Sequence, residues 1–311
     1  SLGAASVAEA VRRAGIDPSE IEDVIMGSAL QQGATGTNVA RQIALRAGLP
    51  VTVSGMTIDR QCSSGLMAVA TGAKQIIDDG MSVVVGGGLE SISLVQNEHM
   101  NLHRMVDEEL MKMAPNIHMP MLQTAEIVAK RYGISRDAMD EYGFQSQQRT
   151  AQAYAEGRYD AELVPVTCER IVWNKETGEQ STAEGTVSAD EGVRATTLEG
   201  LSGLRTVIEG GTITAGNASQ LSDGSSAQVI MDSKLAEQRG LEPLSISVSC
   251  ISNLANLRIN ALSFSKLFAN SSGVVAPIVN SEPLPNAGLI KFAISTLLLP
   301  AEPAPIIICI S

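Results

Sequence analysis

Apolar and polar positions follow two alternating rhythms along the first ninety residues. In "SVAEAVRRAG" (6–15), Val7, Ala10, Val11 and Ala14 recur three and four apart, which predicts one helical face with a stop at Gly15. "IEDVIMGSAL" (21–30) is a short apolar run of strand type. "TNVARQIALRAGLP" (37–50) returns to helical spacing and ends at Gly48 and Pro50. "VTVSGMTID" (51–59) carries the β-branched residues of a strand. A helix then opens at Cys62, with Leu66, Val69, Ala70, Ala73, Ile76 and Ile77 as its expected buried stripe. "SVVVGGG" (82–88) is an unbroken apolar strand entering a glycine turn. Strands and helices alternating at this spacing predict an α/β fold with a parallel, covered sheet.

From about residue 92 the rhythm changes. "TAEIVAKRYG" (124–133) and "SRDAMDEYGFQSQQRTAQAYAEG" (135–157) read as two amphipathic helices, the second capped by Ser135. The polar stretch 169–194 reads as loops and short hairpins. At 211–240 a strand-turn-helix-strand pattern returns. Residues 92–210 are therefore expected to form an inserted, largely helical loop domain within an α/β domain spanning 1–249. Residues 250–311 differ: they carry only Arg258, Lys266, Lys291, Glu282 and Glu302 as charges, with six Asn and repeated proline motifs. This tail shows no helix or strand period and is read as irregular. Its uncharged apolar windows, "GVVAPIV" and "APIIICIS", are an aggregation liability if exposed.

Charge and cysteine content narrow the function classes. A net charge of -12 and only 3% aromatic residues argue against a nucleic-acid partner. They say little against a small phosphate-bearing ligand, which a few basic residues and helix N-termini can hold. No apolar stretch reaches the length of a membrane span; the nearest, "GLIKFAISTLLLP" (288–300), is short and carries Lys291. Cys62, Cys168, Cys250 and Cys309 have no C-x-x-C spacing, so neither a zinc site nor a disulfide scaffold is expected. No metal ligand set is assigned. A reduced, cytoplasmic setting fits best, with an upstream organellar targeting segment left open because the chain starts at Ser1.

Cys62 stands where a strand runs into a helix. Unpaired amides and the positive end of the helix dipole there favour thiolate, and Ser63, Ser64 and Gly65 leave room for a substrate carbonyl. Read from its residues alone, Cys62 is either a nucleophile at such a turn or a small buried residue packed at a helix start. Asp59 and Arg60 beside it are read as an ion pair supporting the turn. His99 and His103 read as surface residues.

Three long segments in order change this balance. "DRQCSSGLMAVATGAKQI" (59–76), "GGGLESIS" (86–93) and "TAGNASQLSDGSSAQVIM" (214–231) resemble signature segments of thiolases (acetyl-CoA acetyltransferases and 3-ketoacyl-CoA thiolases), and the likeness runs from residue 1 to about 248. The resemblance implies a thiolase-like first half, a layered mixed sheet with helices. It implies an acyl-CoA C-acyltransferase in which Cys62 is the acyl-thioester nucleophile, working by Claisen condensation or by thiolysis of a 3-ketoacyl-CoA. It further implies no permanently bound cofactor, a coenzyme A thioester as substrate, and a homo-oligomer for the intact family member. By position, His118 and Met119 in "NIHMPM" fall near the thioester, Ala215 and Ser219 against the pantetheine, and Arg194 near the nucleotide end. A family serine near there aligns with Gly200.

The same resemblance implies groups that the 311 residues do not contain. The family's second half brings an Asn in N-E-A-F, a His in G-H-P and a second Cys before a glycine run; all three His of this chain precede residue 119. The expectation is a catalytically incomplete acyltransferase, with a fragmentary or frameshifted gene product accounting for the compositional change near 249. The alternative is a non-catalytic thiolase-derived fragment serving as a binding or assembly module.

Overall fold

Alanine and valine at helical spacing, with Ser1 at the N-cap, make α1 (Leu2–Ala14), which buries Ala4, Val7, Ala10, Val11 and Ala14. Gly15 ends it in the left-handed conformation (φ 65°), its amide bonding to the Arg12 carbonyl. The computed structural model describes residues 1–174, 176–247 and 307–310. These fall into two units: Ser1–Asn97 with Asp160–Asp190 and the described residues from Ser222 onward, and Glu98–Tyr159 with Glu191–Leu221.

In the first unit, β1 (Asp23–Gly27), α2 (Val39–Arg46), β2 (Ser54–Ile58), α3 (Ser64–Ile77), β3 (Val83–Glu90) and α4 (Ile92–Val95) follow in chain order. β2, β1 and β3 lie side by side and parallel. Successive side chains of a strand point to opposite faces, so each strand feeds two cores. Val24, Met26, Val83 and Val85 pack with Val7, Val11, Val39 and Ile43 of α1 and α2. Val84 packs on the other face against Val69, Ala73 and Ile76 of α3. The result is three layers, helices on either side of a sheet.

The face of α3 differs in detail from the expected stripe. Its buried residues are Ser64, Ala68, Val69, Gly72, Ala73 and Ile76, while Ile77 is 45% exposed and Leu66 and Ala70 are half-buried. Small residues face the sheet because the helix rides close to it. A Cβ on Gly72 would stand 3.0 Å from Val84 Cγ2 and 3.2 Å from Ile230 Cδ1.

Within the same unit, β4 (Val166–Trp173) and β5 (Gln180–Val187) form the antiparallel hairpin expected of the polar stretch. In the second unit, the expected helix pair appears as α6 (Met121–Tyr132) and α7 (Arg136–Ala155), preceded by α5 (Glu108–Met113) and followed by α8 (Leu198–Ser202). Ser135 caps α7 by accepting from the Ala138 amide. This unit takes residues 98–159 and 191–221, and the hairpin between them groups with the first unit.

Residues 211–223 hold no strand, contrary to the strand expected there, because their backbone is taken up by side-chain bonds described below. The strand comes later, as β6 (Gly224–Asp232), antiparallel to β3; Asp232 then caps α9 (Ser233–Gln238). β7 (Ser245–Ser247) and β8 (Ile307–Ile310) complete the sheet, in the order β2-β1-β3-β6-β8-β7, with β8 parallel to both neighbours. Residues 307–310 of the tail thus run as a strand rather than irregularly, as β-branched Ile favours. The rest of the tail expectation, the 288–300 run included, lies outside the described residues. No described helix is long and apolar enough to cross a membrane.

Candidate active site

Glycines let the Cys62 turn sit directly on the carboxyl ends of the parallel strands. Gly27 ends β1, and a Cβ there would lie 2.2 Å from the Ser64 carbonyl carbon and 2.4 Å from the Gly65 nitrogen. Gly88 of β3 meets Gly65 in the same way, at 3.2 Å from its Cα. The start of α3 therefore rests backbone to backbone on β1 and β3. The outer side of strand carboxyl ends is where open α/β sheets bind ligands. Glu90 ties these ends together: its carboxylate accepts from the Ala29 amide at 2.8 Å and from Ser28 Oγ at 3.3 Å, while the Ser28 amide donates to the Ile58 carbonyl at 3.0 Å.

The turn itself is held from within. Asp59 accepts from the Gln61 amide at 2.7 Å, so its carboxylate shapes the backbone rather than pairing with Arg60 as expected. Arg60 instead points its guanidinium at Met67 Sδ, 3.3 Å away. Gln61 adopts φ 49°, a left-handed conformation that a non-glycine residue takes only under constraint. The constraint is Ser64, 4% exposed: its hydroxyl accepts from the Arg60 amide at 2.8 Å and donates to the Gln61 carbonyl at 2.6 Å. Ser63 Oγ adds a bond to the Arg60 carbonyl at 2.8 Å. Cys62, at the crest, is exposed. That removes the reading of a small residue buried in packing. α3 begins at Ser64, two residues past the thiol, and among the described residues no partner takes the Gly65 or Leu66 amide.

Asp223 shapes the neighbouring segment. Its carboxylate accepts from the Ser93 amide at 2.9 Å and from the hydroxyls of Ser91 and Ser93, which fixes the entry to α4.

The other five candidates lie in the second unit. His118 is exposed and Met119 half-buried, in a turn closed by the Met119 amide on the Asn116 carbonyl at 3.1 Å. Arg194 is exposed, and its amide donates to Gln147 Oε1 at 3.0 Å. The Gly192 carbonyl accepts from Gln220 Nε2 at 2.8 Å and from Gln147 Nε2 at 3.4 Å. Gln147 and Gln220 thereby bring the Arg194 and Ser219 segments together. Ala215 and Ser219 are exposed on a turn whose underside is buried: Thr214 is 0% exposed, and its carbonyl accepts from the Ala218 amide at 3.0 Å. Among the described residues, no bond links His118 or Met119 to these segments. His99 and His103 are exposed as expected. Among the described residues there is no cluster of three or more His, Cys, Asp or Glu placed to hold a metal ion.

Residues 1–234 match the family described as thiolase, N-terminal domain. The chain belongs to the thiolase family. A 3-ketoacyl-CoA thiolase of Bacillus subtilis (strain 168) is 41% identical over 249 residues, covering 78% of this chain and 62% of the relative. An acetyl-CoA acetyltransferase of Cupriavidus necator is 38% identical over 257 residues, again with 78% and 62% covered. The crystal structure of the Bacillus anthracis acetyl-CoA acetyltransferase superposes with a TM-score of 0.65 at 34% identity, over 78% of this chain and 61% of that one. The chain thus spans about 62% of the length of the thiolases it matches.

The resemblance had pointed to the thiol but not to what braces it. Nothing in the sequence marks Ser64, Gly27 and Glu90 as the residues that brace it. Their roles follow from the close approach of two backbones, which a linear pattern does not display.

Proposed function

We propose that this chain carries the acyl-accepting part of a thiolase-type acyl-CoA C-acyltransferase. The observation that carries the reading is the exposed Cys62 thiol on a braced turn before α3, at the carboxyl ends of the parallel strands. In the proposed step the Cys62 sulfur attacks the thioester carbonyl of an acyl-CoA. A new carbon–sulfur bond forms, the bond to coenzyme A breaks, and the coenzyme leaves as its thiol after taking the proton that Cys62 gave up. Backbone amides at the start of α3 are suited to bear charge on the carbonyl oxygen. His118, Met119, Ala215 and Ser219 are assigned to the acyl-pantetheine arm and Arg194 to the nucleotide end.

Completing the cycle means passing the acyl group to the α-carbon of a second acyl-CoA, or the reverse thiolysis. Each direction needs a base for the thiol and a group to move the α-proton. The 311 residues contain none of the N-E-A-F, G-H-P or second-cysteine strings that would bring these. For these 311 residues taken alone the reading is slow acylation through the thiolate that the helix start favours, without turnover.

Intact-mass measurement after incubation with acetyl-CoA tests it, alongside thiolysis of acetoacetyl-CoA. One acetyl group on Cys62, absent from Cys62→Ser, with no thiolysis is the expected result. Turnover would overturn the incompleteness. Neither acylation nor turnover would favour a binding or assembly module instead.

A further inference from the structure

We infer that Asp140 and Glu126, neither of which touches the turn's exposed side, are positioning residues for the thioester arm, holding the 212–219 segment that carries Ala215 and Ser219. This rests on the reading above, in which that segment meets the pantetheine.

Asp140 lies on α7 and is 3% exposed. Burying a carboxylate is unfavourable unless it is well paired, and here both oxygens are used. Oδ2 accepts from Arg136 Nε at 2.7 Å, and Oδ1 accepts from Asn217 Nδ2 at 2.9 Å. The charge decides how the Asn217 amide faces. Its nitrogen must point toward Asp140, where it also reaches the Thr212 carbonyl at 3.1 Å, leaving Oδ1 to accept the Thr214 amide at 2.8 Å. Rotating that amide by half a turn would set an oxygen against the carboxylate and lose all three bonds. Arg136 is itself seated, donating to the carbonyls of Leu201 and Leu204 at 2.7 and 3.1 Å.

Glu126 on α6 clamps the residues just before the turn. Its carboxylate accepts from the Thr212 amide at 2.7 Å, the Ile213 amide at 2.8 Å and Thr212 Oγ1 at 2.8 Å. These bonds, led by that of Ile213, hold its pKa below the ordinary glutamate value. Gly143 lets α7 approach the turn, since a Cβ there would stand 2.9 Å from the Gly216 carbonyl oxygen. Two carboxylates from two helices thus bracket six residues, Thr212 to Asn217. The turn is fixed by charge on its inner side and presents the small side chains of Ala215 and Ser219 on its outer side.

The test compares two ligands on the full chain by titration calorimetry: coenzyme A, and adenosine 3′,5′-bisphosphate, which lacks the pantetheine arm. Asp140→Asn and Glu126→Gln should each weaken coenzyme A about 10-fold, the scale of one charge-assisted hydrogen bond, and leave the bisphosphate within about twofold. Equal weakening of both ligands would mean general damage to the unit and would overturn the inference, as would unchanged coenzyme A affinity. If Asp140→Asn does not fold, Glu126→Gln reads the same difference without touching the buried charge. An unaltered chain that binds no coenzyme A would bring down the site reading and this inference together; binding that the variants do not alter brings down the inference alone.

Discussion

Replacing Gly27 by Ala asks whether the backbone contact under Cys62 governs both stability and the thiol. The new methyl would stand 2.2 Å from the Ser64 carbonyl carbon, 2.4 Å from the Gly65 nitrogen and 2.5 Å from the Ser64 oxygen. Carbon atoms rest at about 3.5 Å, so the helix start must retreat by roughly 1 Å. The three nearest atoms are all backbone, so no flexible side-chain end yields at the closest contacts. Overpacking of this kind costs about 1–3 kcal/mol, and the upper end is expected here. Gly3→Ala is the matched control. Its Cβ meets the far end of a side chain, Ile43 Cδ1, at 2.5 Å, and it is the second residue of α1, where alanine's helix propensity over glycine gains at most about 1 kcal/mol. Urea unfolding should therefore show a clear loss for Gly27→Ala and a small change for Gly3→Ala. Alkylation of Cys62 by iodoacetamide, with Cys168 as internal reference, should change rate only in Gly27→Ala. Equal stability of the two variants would refute the claim that rigid backbone contact, rather than crowding in general, seats the turn.

Two further outcomes are expected. The Arg12 guanidinium, helped by Arg13, draws the Glu9 pKa down from its ordinary 4.5 to about 2 against the opposing effect of burial. The folded pKa is the lower one, so the stabilisation is complete above about 4.5 and fades as pH falls toward about 2; the stability gap between the wild type and Glu9→Gln should shrink across that window in urea titrations, and a gap independent of pH would contradict it. Gly15→Ala places a side chain at φ 65° with no atom within 4 Å, so the cost is conformational alone, about 1 kcal/mol by thermal unfolding, and Gly15→Asn should recover part of it.

Much of the α/β layering was legible in the sequence because apolar spacing reports directly which positions face a core. Val7, Ala10, Val11 and Ala14 are buried as their spacing requires. The stripe of α3 was misplaced by part of a turn because hydrophobicity weights Leu66 and Ile77, whereas close approach selects Ala68 and Gly72. The 211–223 segment misled for a related reason. Its β-branched residues favour a strand, but Glu126 and Asn217 claim the backbone groups that a neighbouring strand would need. Asp140 looks like an ordinary exposed helix residue until the fold buries it. Its one sequence signal is Arg136 four positions earlier, a spacing that places two side chains together on a helix.

The bracket around residues 212–217 also sets an order in time. Asn217 follows its partner Asp140 by 77 residues, and Ile213 follows Glu126 by 87. At ribosomal speeds of about 5–20 residues per second, each carboxylate emerges roughly 4–17 s before its partner. For that interval Glu126 lacks the Thr212 and Ile213 amides and Asp140 lacks the Asn217 side chain, while Arg136 is already beside Asp140. The bracket around Thr212 to Asn217 therefore closes only after the whole β4–β5 hairpin has been synthesised.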